Sequence, residues 1–197
     1  MFKSFNNLRI GVRIIIGFFI IVAIACIIGV VGIQNLKNVQ DSYALDYEST
    51  VDALEYVERI SSHFQQIRVN VFGFALSYDS DEKREYYTER IAEHINTVDE
   101  SINGYREILS KYDASEVETE MKLLDNIQAA LNEFGVLRNK MMNDLQTGLI
   151  SREEFVSSFS KGGEAHNLAS NVDNAIQELI DYNIDYAANQ ISKNKKQ

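Results

Sequence analysis

Residues 14–33 read IIIGFFIIVAIACIIGVVGI, twenty positions from Ile14 to Ile33 without one charged side chain. As a helix rising 1.5 Å per residue, such a run spans roughly 30 Å, the thickness of a bilayer's hydrocarbon core. Lys3, Arg9 and Arg13 precede it, and the first forty residues contain no acid. By the positive-inside bias the N-terminus then stays in the cytoplasm and the chain after Ile33 lies outside. Gly17, Gly29 and Gly32 are ordinary in a membrane helix. The run exceeds the apolar region of a cleaved signal peptide, about 7–15 residues. Ala23-Ile24-Ala25-Cys26 has a trace of a lipoprotein processing box. However, Cys26 is followed by Ile27-Ile28-Gly29-Val30-Val31 rather than a polar segment, so it reads as a small apolar residue.

Outside that run the chemistry changes sign. The chain has 197 residues and a net charge of −10, yet residues 1–40 carry four basic side chains (Lys3, Arg9, Arg13, Lys37) and the remainder holds all 29 acidic residues against 15 basic ones. A surface so acidic is soluble and offers no general field for nucleic acid. Cys26 is the sole cysteine, so no disulfide can form within the chain. Proline is absent altogether, which removes the strongest breaker of long helices.

Apolar residues then recur in steps of four and three, the rhythm of helices packed lengthwise on one another. Helix 1 (about 34–77) carries Val39, Tyr43, Asp46, Thr50, Ala53, Val57, Ile60, Phe64, Ile67, Val71 and Phe74. Helix 2 (81–110) carries Ile91, Ile95, Val98, Ile102, Tyr105 and Leu109. Helix 3 (116–146) carries Leu123, Ile127, Ala130, Phe134, Leu137 and Met141, widened by Val117, Met121, Leu124 and Leu131. Helix 4 (152–193) carries Phe155, Phe159, Ala165, Leu168, Val172, Ala175, Leu179, Tyr182 and Tyr186. Asp79 with Glu82, Ser115 with Glu118, and Ser151 with Glu154 provide N-terminal caps, the last two in the spacing of a capping box. Gly148 is placed for a left-handed cap after helix 3. Gly162-Gly163 falls inside helix 4, where each glycine costs about 1 kcal/mol relative to alanine. It marks either a bend or a close approach of another backbone or a ligand.

Short turns between such helices force antiparallel neighbours. The expected fold is all-α: an up-down-up-down antiparallel four-helix bundle with an N-terminal transmembrane helix (14–33) continuous with helix 1. A basic leader (1–13) precedes it, the bundle domain spans 34–193, and a tail (194–197) follows. Helices 1 and 4 are longer than the other two and overhang by about 12–14 residues at one end, in a stalk that Asp46, Thr50, Asn183 and Gln190 suit. Such a stalk is better supported in a dimer.

Enzymatic signatures are missing. The residues three before His63, His94 and His166 are Ile60, Ile91 and Gly163, so the Glu-x-x-His pairs of di-iron bundles do not occur. Neither does a phosphate loop, a His-Glu-x-x-His helix or a Cys-x-x-Cys. No catalytic activity, metal or cofactor is expected.

Met1–Gln40, MFKSFNNLRIGVRIIIGFFIIVAIACIIGVVGIQNLKNVQ, resembles the start of bacterial methyl-accepting chemotaxis receptors. Ile60–Phe72 (ISSHFQQIRVNVF) is similar to that family's distal helix 1, and Glu178–Ala188 (ELIDYNIDYAA) to the helix-4 segment leading to a second membrane helix. The resemblance implies an extracytoplasmic sensory domain at the inner membrane. It would act as a homodimer and signal inward by a helix displacement of about 1–2 Å. It also implies a small organic ligand, or a periplasmic binding protein, as partner. The family's second membrane helix, HAMP linker and methylated coiled coil do not follow, so the chain is expected to be a receptor fragment or an orphan input module. The same domain could feed a histidine kinase or a cyclase, and a ligand-free tethered scaffold is the reading from a different class.

In related bundles ligands sit between helices 1 and 4. For unbroken antiparallel helices, residues at one height here add to about 229, within a turn of 3.6 residues. Arg68 is then level with Lys161 and Gly162-Gly163, and His63 with His166. Phe64, Phe72 and Phe159 would form apolar walls. Arg68 has the planar fork to clamp a carboxylate, and the competing reading pairs it with an acid of the bundle surface. His63 with His166 could hold a metal or respond to pH, or the two could be unrelated.

Overall fold

The computed structural model describes residues 10–77 and 79–194; the side chains at 10–17, 20, 23, 35, 36, 38–50 and 190–194 lie outside that description. Five helices follow in order: α1 (Ile10–Leu76), α2 (Asp81–Leu109), α3 (Ala114–Gln146), α4 (Arg152–Phe159) and α5 (Glu164–Asn194). Among the described residues there is no strand. The chain divides into two compact units, Met1–Glu48 and Ser49–Gln197.

In the first unit the described large apolar side chains lie open. Phe18, Phe19, Ile21, Val22, Ile24, Ile27, Ile28, Val30, Val31 and Ile33 are all exposed, as is Cys26. Among the described residues no helix is long and apolar enough to cross a membrane. Ile14, Ile15, Ile16, Gly17, Ile20 and Ala23 of the uncharged run have side chains outside the description. The expectations for Val39, Tyr43, Asp46, Thr50 and Gln190, and those for residues 1–9 and 195–197, also fall outside it.

The second unit is a helical bundle whose contacts follow the heptad stripes. Ala53, Val57, Ile60, Phe64, Ile67, Val71 and Phe74 of α1 are all buried. So are Ile91, Val98, Ile102, Tyr105 and Leu109 of α2. The line on α3 is rotated slightly from the expected one. Val117, Leu124, Ile127, Phe134, Arg138, Met142 and Leu145 face inward, while Leu123, Ala130, Leu137 and Met141 are half-buried at its edge. On α5 the buried set is Ala165, Ala169, Val172, Ala175, Ile176, Leu179 and Asn183; Tyr186 is exposed. Helices α1 and α2 run antiparallel, with Tyr87 lying against Gly73 at one end and Tyr56 against Gly104 at the other. In both places the absent Cβ is what lets a tyrosine ring lie against the facing backbone.

Helix boundaries follow local capping chemistry, and two expected caps are corrected. Ser80, not Asp79, caps α2, its hydroxyl accepting from the Lys83 amide at 3.3 Å. Helix α3 begins one residue before Ser115, with Asp113 at the cap and no side-chain cap bond, so the Ser115–Glu118 box does not form. A serine already inside the first turn cannot also serve as the half-in residue that a cap requires. The Ser151–Glu154 box is complete, with Ser151 N–H on Glu154 Oε2 at 2.8 Å and Glu154 N–H on Ser151 Oγ at 3.1 Å. Gly148 takes a φ of +73°, and the amides of Gly148 and Leu149 reach back to the carbonyls of Leu145 (3.2 Å) and Asp144 (2.8 Å), closing α3 in a Schellman motif.

The largest departure is the fourth helix, which is broken. Helix α4 stops at Phe159, Ser160 is extended (φ −86°, ψ 164°), and Gly162 turns left-handed at φ +89°. A Cβ on Gly163 would fall 2.2 Å from the Ser158 carbonyl oxygen, so the backbone that comes close there is the chain's own. The break also changes the register. Phe159 packs against Phe72 as an unbroken helix would have it, but Asp173 lies beside Arg68. The jog at residues 160–163 therefore takes height from a segment that, as a continuous helix, would gain nearly four turns over those fourteen residues. Asn183, expected in a stalk, is drawn into the core opposite Tyr105 for the same reason. Beyond the level of Leu109, α5 continues for about two turns.

Candidate functional site

Six side chains were expected to form one site: Arg68, Phe64, Phe72, Phe159, Lys161 and His166. They fall into separate groups. Arg68, on the flank of α1, bridges to α5. Its Nη1 donates to Asp173 Oδ2 and to Gln65 Oε1, each at 3.0 Å, and Gln65 Nε2 donates to the other Asp173 oxygen at 2.9 Å. The guanidinium carbon stands 5.9 Å from the Phe64 ring centre. Arg68 therefore holds a carboxylate belonging to the chain. Phe64 is fully buried and meets Phe134 edge-on at 5.3 Å; Phe72 meets Phe159 edge-on at 6.1 Å, and Phe159 stacks on Phe155 at 4.7 Å. These rings are core rather than the walls of an opening between α1 and α5. Lys161 is exposed in the turn between α4 and α5, and His166 is half-buried in the first turn of α5. Because of the broken register neither is level with Arg68 in the way expected.

His63 meets a different histidine from the one expected. Its Nδ1 lies 2.9 Å from Nδ1 of His94 on α2, with the rings edge-to-face at 5.0 Å. His94 is buried and its Nε2 has no partner among the described residues. Burial holds its pKa below the usual histidine value, and the positive charges of Arg90 and His63 add to that while Glu93 opposes it. The helix register explains the pairing, since residues 63 and 94 occupy the same level of the α1–α2 pair as it runs from Tyr87–Gly73 to Tyr56–Gly104.

A cleft lies elsewhere, between α1, α2 and α3. Its volume is about 380 Å³. Phe64, Ile67, Val98, Leu131 and Phe134 form its apolar side, and Asp99, Gln128, Asn132, Arg138 and Asn139 its polar side. Arg138 is only 7% exposed. Its Nε and Nη2 both donate to Asn139 Oδ1, at 3.2 and 3.0 Å, and its guanidinium carbon stands 5.9 Å from the Phe134 ring centre. Burial holds its pKa below the usual guanidinium value.

Toward the α2–α3 turn, one hydroxyl joins three helices. Tyr105 on α2 donates to Glu120 Oε1 on α3 at 2.8 Å and accepts from Asn183 Nδ2 on α5 at 2.8 Å. Burial, and next the Glu120 carboxylate, push the Tyr105 pKa upward; burial also raises that of Glu120, against the lowering effect of the tyrosine hydroxyl.

Residues 7–197 match a family described as a four helix bundle sensory module for signal transduction. The chain belongs to that family. No curated protein and no solved structure matches it. A sensory module is a signalling unit rather than a catalytic domain. Two of the polar groups in this sensory module escape sequence reasoning. Arg138 and His94 sit on helix faces that periodicity assigns to the buried side, where a charged or titratable residue reads as an interruption. The one available signal was their position: Arg138 falls four residues after Phe134, and His94 three after Ile91, on the buried stripes.

Proposed function

We propose that this sensory module is the extracytoplasmic input region of a transmembrane chemotaxis receptor, held in the bacterial inner membrane by Ile14–Ile33 and working as a homodimer. The reading is carried by one combination: the sensory family spans residues 7–197, and within that span lies a twenty-residue run with no charge, preceded by basic residues alone. The exposed apolar surface of Phe18 through Ile33 supports it, because ten large apolar side chains in a row of turns need a nonaqueous environment or a partner helix. Signal would leave through α5, whose ties to α1 (Asp173–Arg68) and α2 (Asn183–Tyr105) would change when it moves. A ligand carboxylate at Arg68 would have to share or displace Asp173. The cleft beside Arg138 favours a ligand-taking module over a closed scaffold.

Membrane flotation tests the anchor. The full chain should float with vesicles after alkaline wash, and a chain lacking residues 14–33 should remain in the soluble fraction. A full chain that stays soluble without detergent overturns the membrane reading. Protease added to spheroplasts should digest the bundle while leaving the N-terminal leader intact; digestion from the cytoplasmic side only would reverse the orientation.

A further inference from the structure

The Arg138 cleft carries an inference that deepens the sensory reading and rests on it for its biological meaning. We propose that the cleft between α1, α2 and α3 binds a small monocarboxylate with a compact apolar body, its carboxylate seated on Arg138. A buried guanidinium without a counter-charge is costly, and native chains pair such groups with a carboxylate. Among the described residues Arg138 makes no ion pair and Nη1 makes no hydrogen bond, although the Asp99 carboxylate lines the same cleft without reaching the guanidinium. Asn139 Oδ1 takes Nε and Nη2, which pins the plane of the fork and leaves Nη1, with the second hydrogen of Nη2, for an incoming anion.

The rest of the cleft defines the remainder of the ligand. Gly135 sets no side chain between the fork and the opening; a Cβ there would already stand 3.7 Å from Nη2. Phe64, Ile67, Leu131 and Phe134 present rings and branched alkyl groups to anything held by the arginine. A volume of about 380 Å³ is at the lower end of small-molecule sites, which suits one ring or a short branched chain. The acidic surface of the second unit and Asp99 in the lining both oppose an anion, so affinity must come from the Arg138 fork and the apolar wall. Walls from three helices also mean that an occupant would touch α1, α2 and α3 together.

Isothermal titration of the full chain in detergent micelles tests this, with benzoate and isovalerate as probes and benzyl alcohol and isoamyl alcohol as uncharged controls. At least one acid should bind, with the matching alcohol about tenfold weaker or undetectable. Arg138→Gln should lose about tenfold or more of the acid's affinity. Arg138→Lys, which keeps the charge but not the fork, should recover part of it. Gly135→Leu puts a helix-favouring side chain into the opening. It should abolish binding in a chain whose helicity and melting are retained, which guards against a misfolded Arg138 variant. No heat from either acid at millimolar concentration, equal binding of acid and alcohol, or affinity indifferent to both Arg138→Gln and Gly135→Leu overturns the site. Such a failure leaves the flotation result untouched, so the loss of this site and the loss of the membrane-sensor reading are separately visible.

Discussion

Near the α3–α4 turn the core is made of rings, with Phe64, Phe134, Phe155 and Phe159 linked edge-on or stacked at 4.7 to 6.3 Å. Near the α2–α3 turn, in contrast, Tyr105, Glu120 and Asn183 hold α2, α3 and α5 by hydrogen bonds within the core. The two regions resist movement in different ways. Packed rings lose attraction gradually, in proportion to the surface uncovered, and have no preferred partner atom. A buried hydrogen-bonded group is satisfied or it is not, and leaving one atom without a partner costs about 1–3 kcal/mol. A sliding α5 would thus meet graded resistance at the ring end and a switch-like step at the polar end.

The ring end should show the largest effect of substitution. Phe64 is fully buried and touches both Phe134 and the Arg68 guanidinium, so Phe64→Ala leaves a cavity that neighbours cannot close. The expected loss is about 3–5 kcal/mol, read as a lower urea midpoint with an unchanged slope. A loss under about 1 kcal/mol would mean that the rings are not what anchors this end.

Tyr105→Phe probes the polar end and should cost about 1–3 kcal/mol, because Glu120 and Asn183 are left facing an apolar ring. Replacing Asn183 by Leu in the same chain should restore part of the loss, since one of the two orphaned groups is then gone. If the double change is worse than Tyr105→Phe alone, the hydroxyl is not the centre of the network. Apolar substitutions at the ring end should show no such rescue, which is the contrast in its sharpest form.

Most of the fold was legible because heptad stripes report burial directly. From Ala53 to Phe74 every stripe residue of α1 is buried, and the capping box at Ser151 and the glycine cap at 148 fell where side-chain chemistry put them. What was not legible follows from one event. Gly162-Gly163 announced a weak point, but the size of the resulting jog depends on how Ser160 and Gly162 turn, which no periodicity records. Once the register moved, Arg68 met Asp173 in place of Lys161, and Asn183 left the expected stalk for the core. Arg138 was hidden for another reason: pattern reading treats an arginine as solvent-facing, whereas its cation here lies on Phe134 beside the cleft.

A titration should separate the two polar centres further. His94 has a lowered pKa, so the unfolded chain binds its proton more readily, and stability should fall as pH drops below about 6.5 through the lowered value. Protonation of His94 would also set its imidazolium against Arg90, with Glu93 as the opposing charge. Glu120 has a raised pKa, so its contribution has the other sign. The folded chain holds that proton more tightly, and stability should fall as pH rises from about 4.5 through the raised value. Melting curves across pH should therefore lose the acid-side slope above Glu120's range in His94→Leu and keep it in Glu120→Gln. The reverse assignment would mean that the histidine pair does not govern the acid response.

The smallest effect should come from the contact that looked most functional. Arg68 and Asp173 form one ion pair with side chains 27% and 39% exposed, and pairs that open to water are typically worth about 0.2–1 kcal/mol. A double-mutant cycle of Arg68→Ala with Asp173→Ala should return a coupling in that range, shrinking further in high salt as screening grows. Its weakness is what makes it informative, since a weak tie between α1 and α5 can be exchanged during signalling without unfolding either helix. A coupling above about 2 kcal/mol would instead make it a structural clamp and would place the movable contact of α5 at Tyr105 alone.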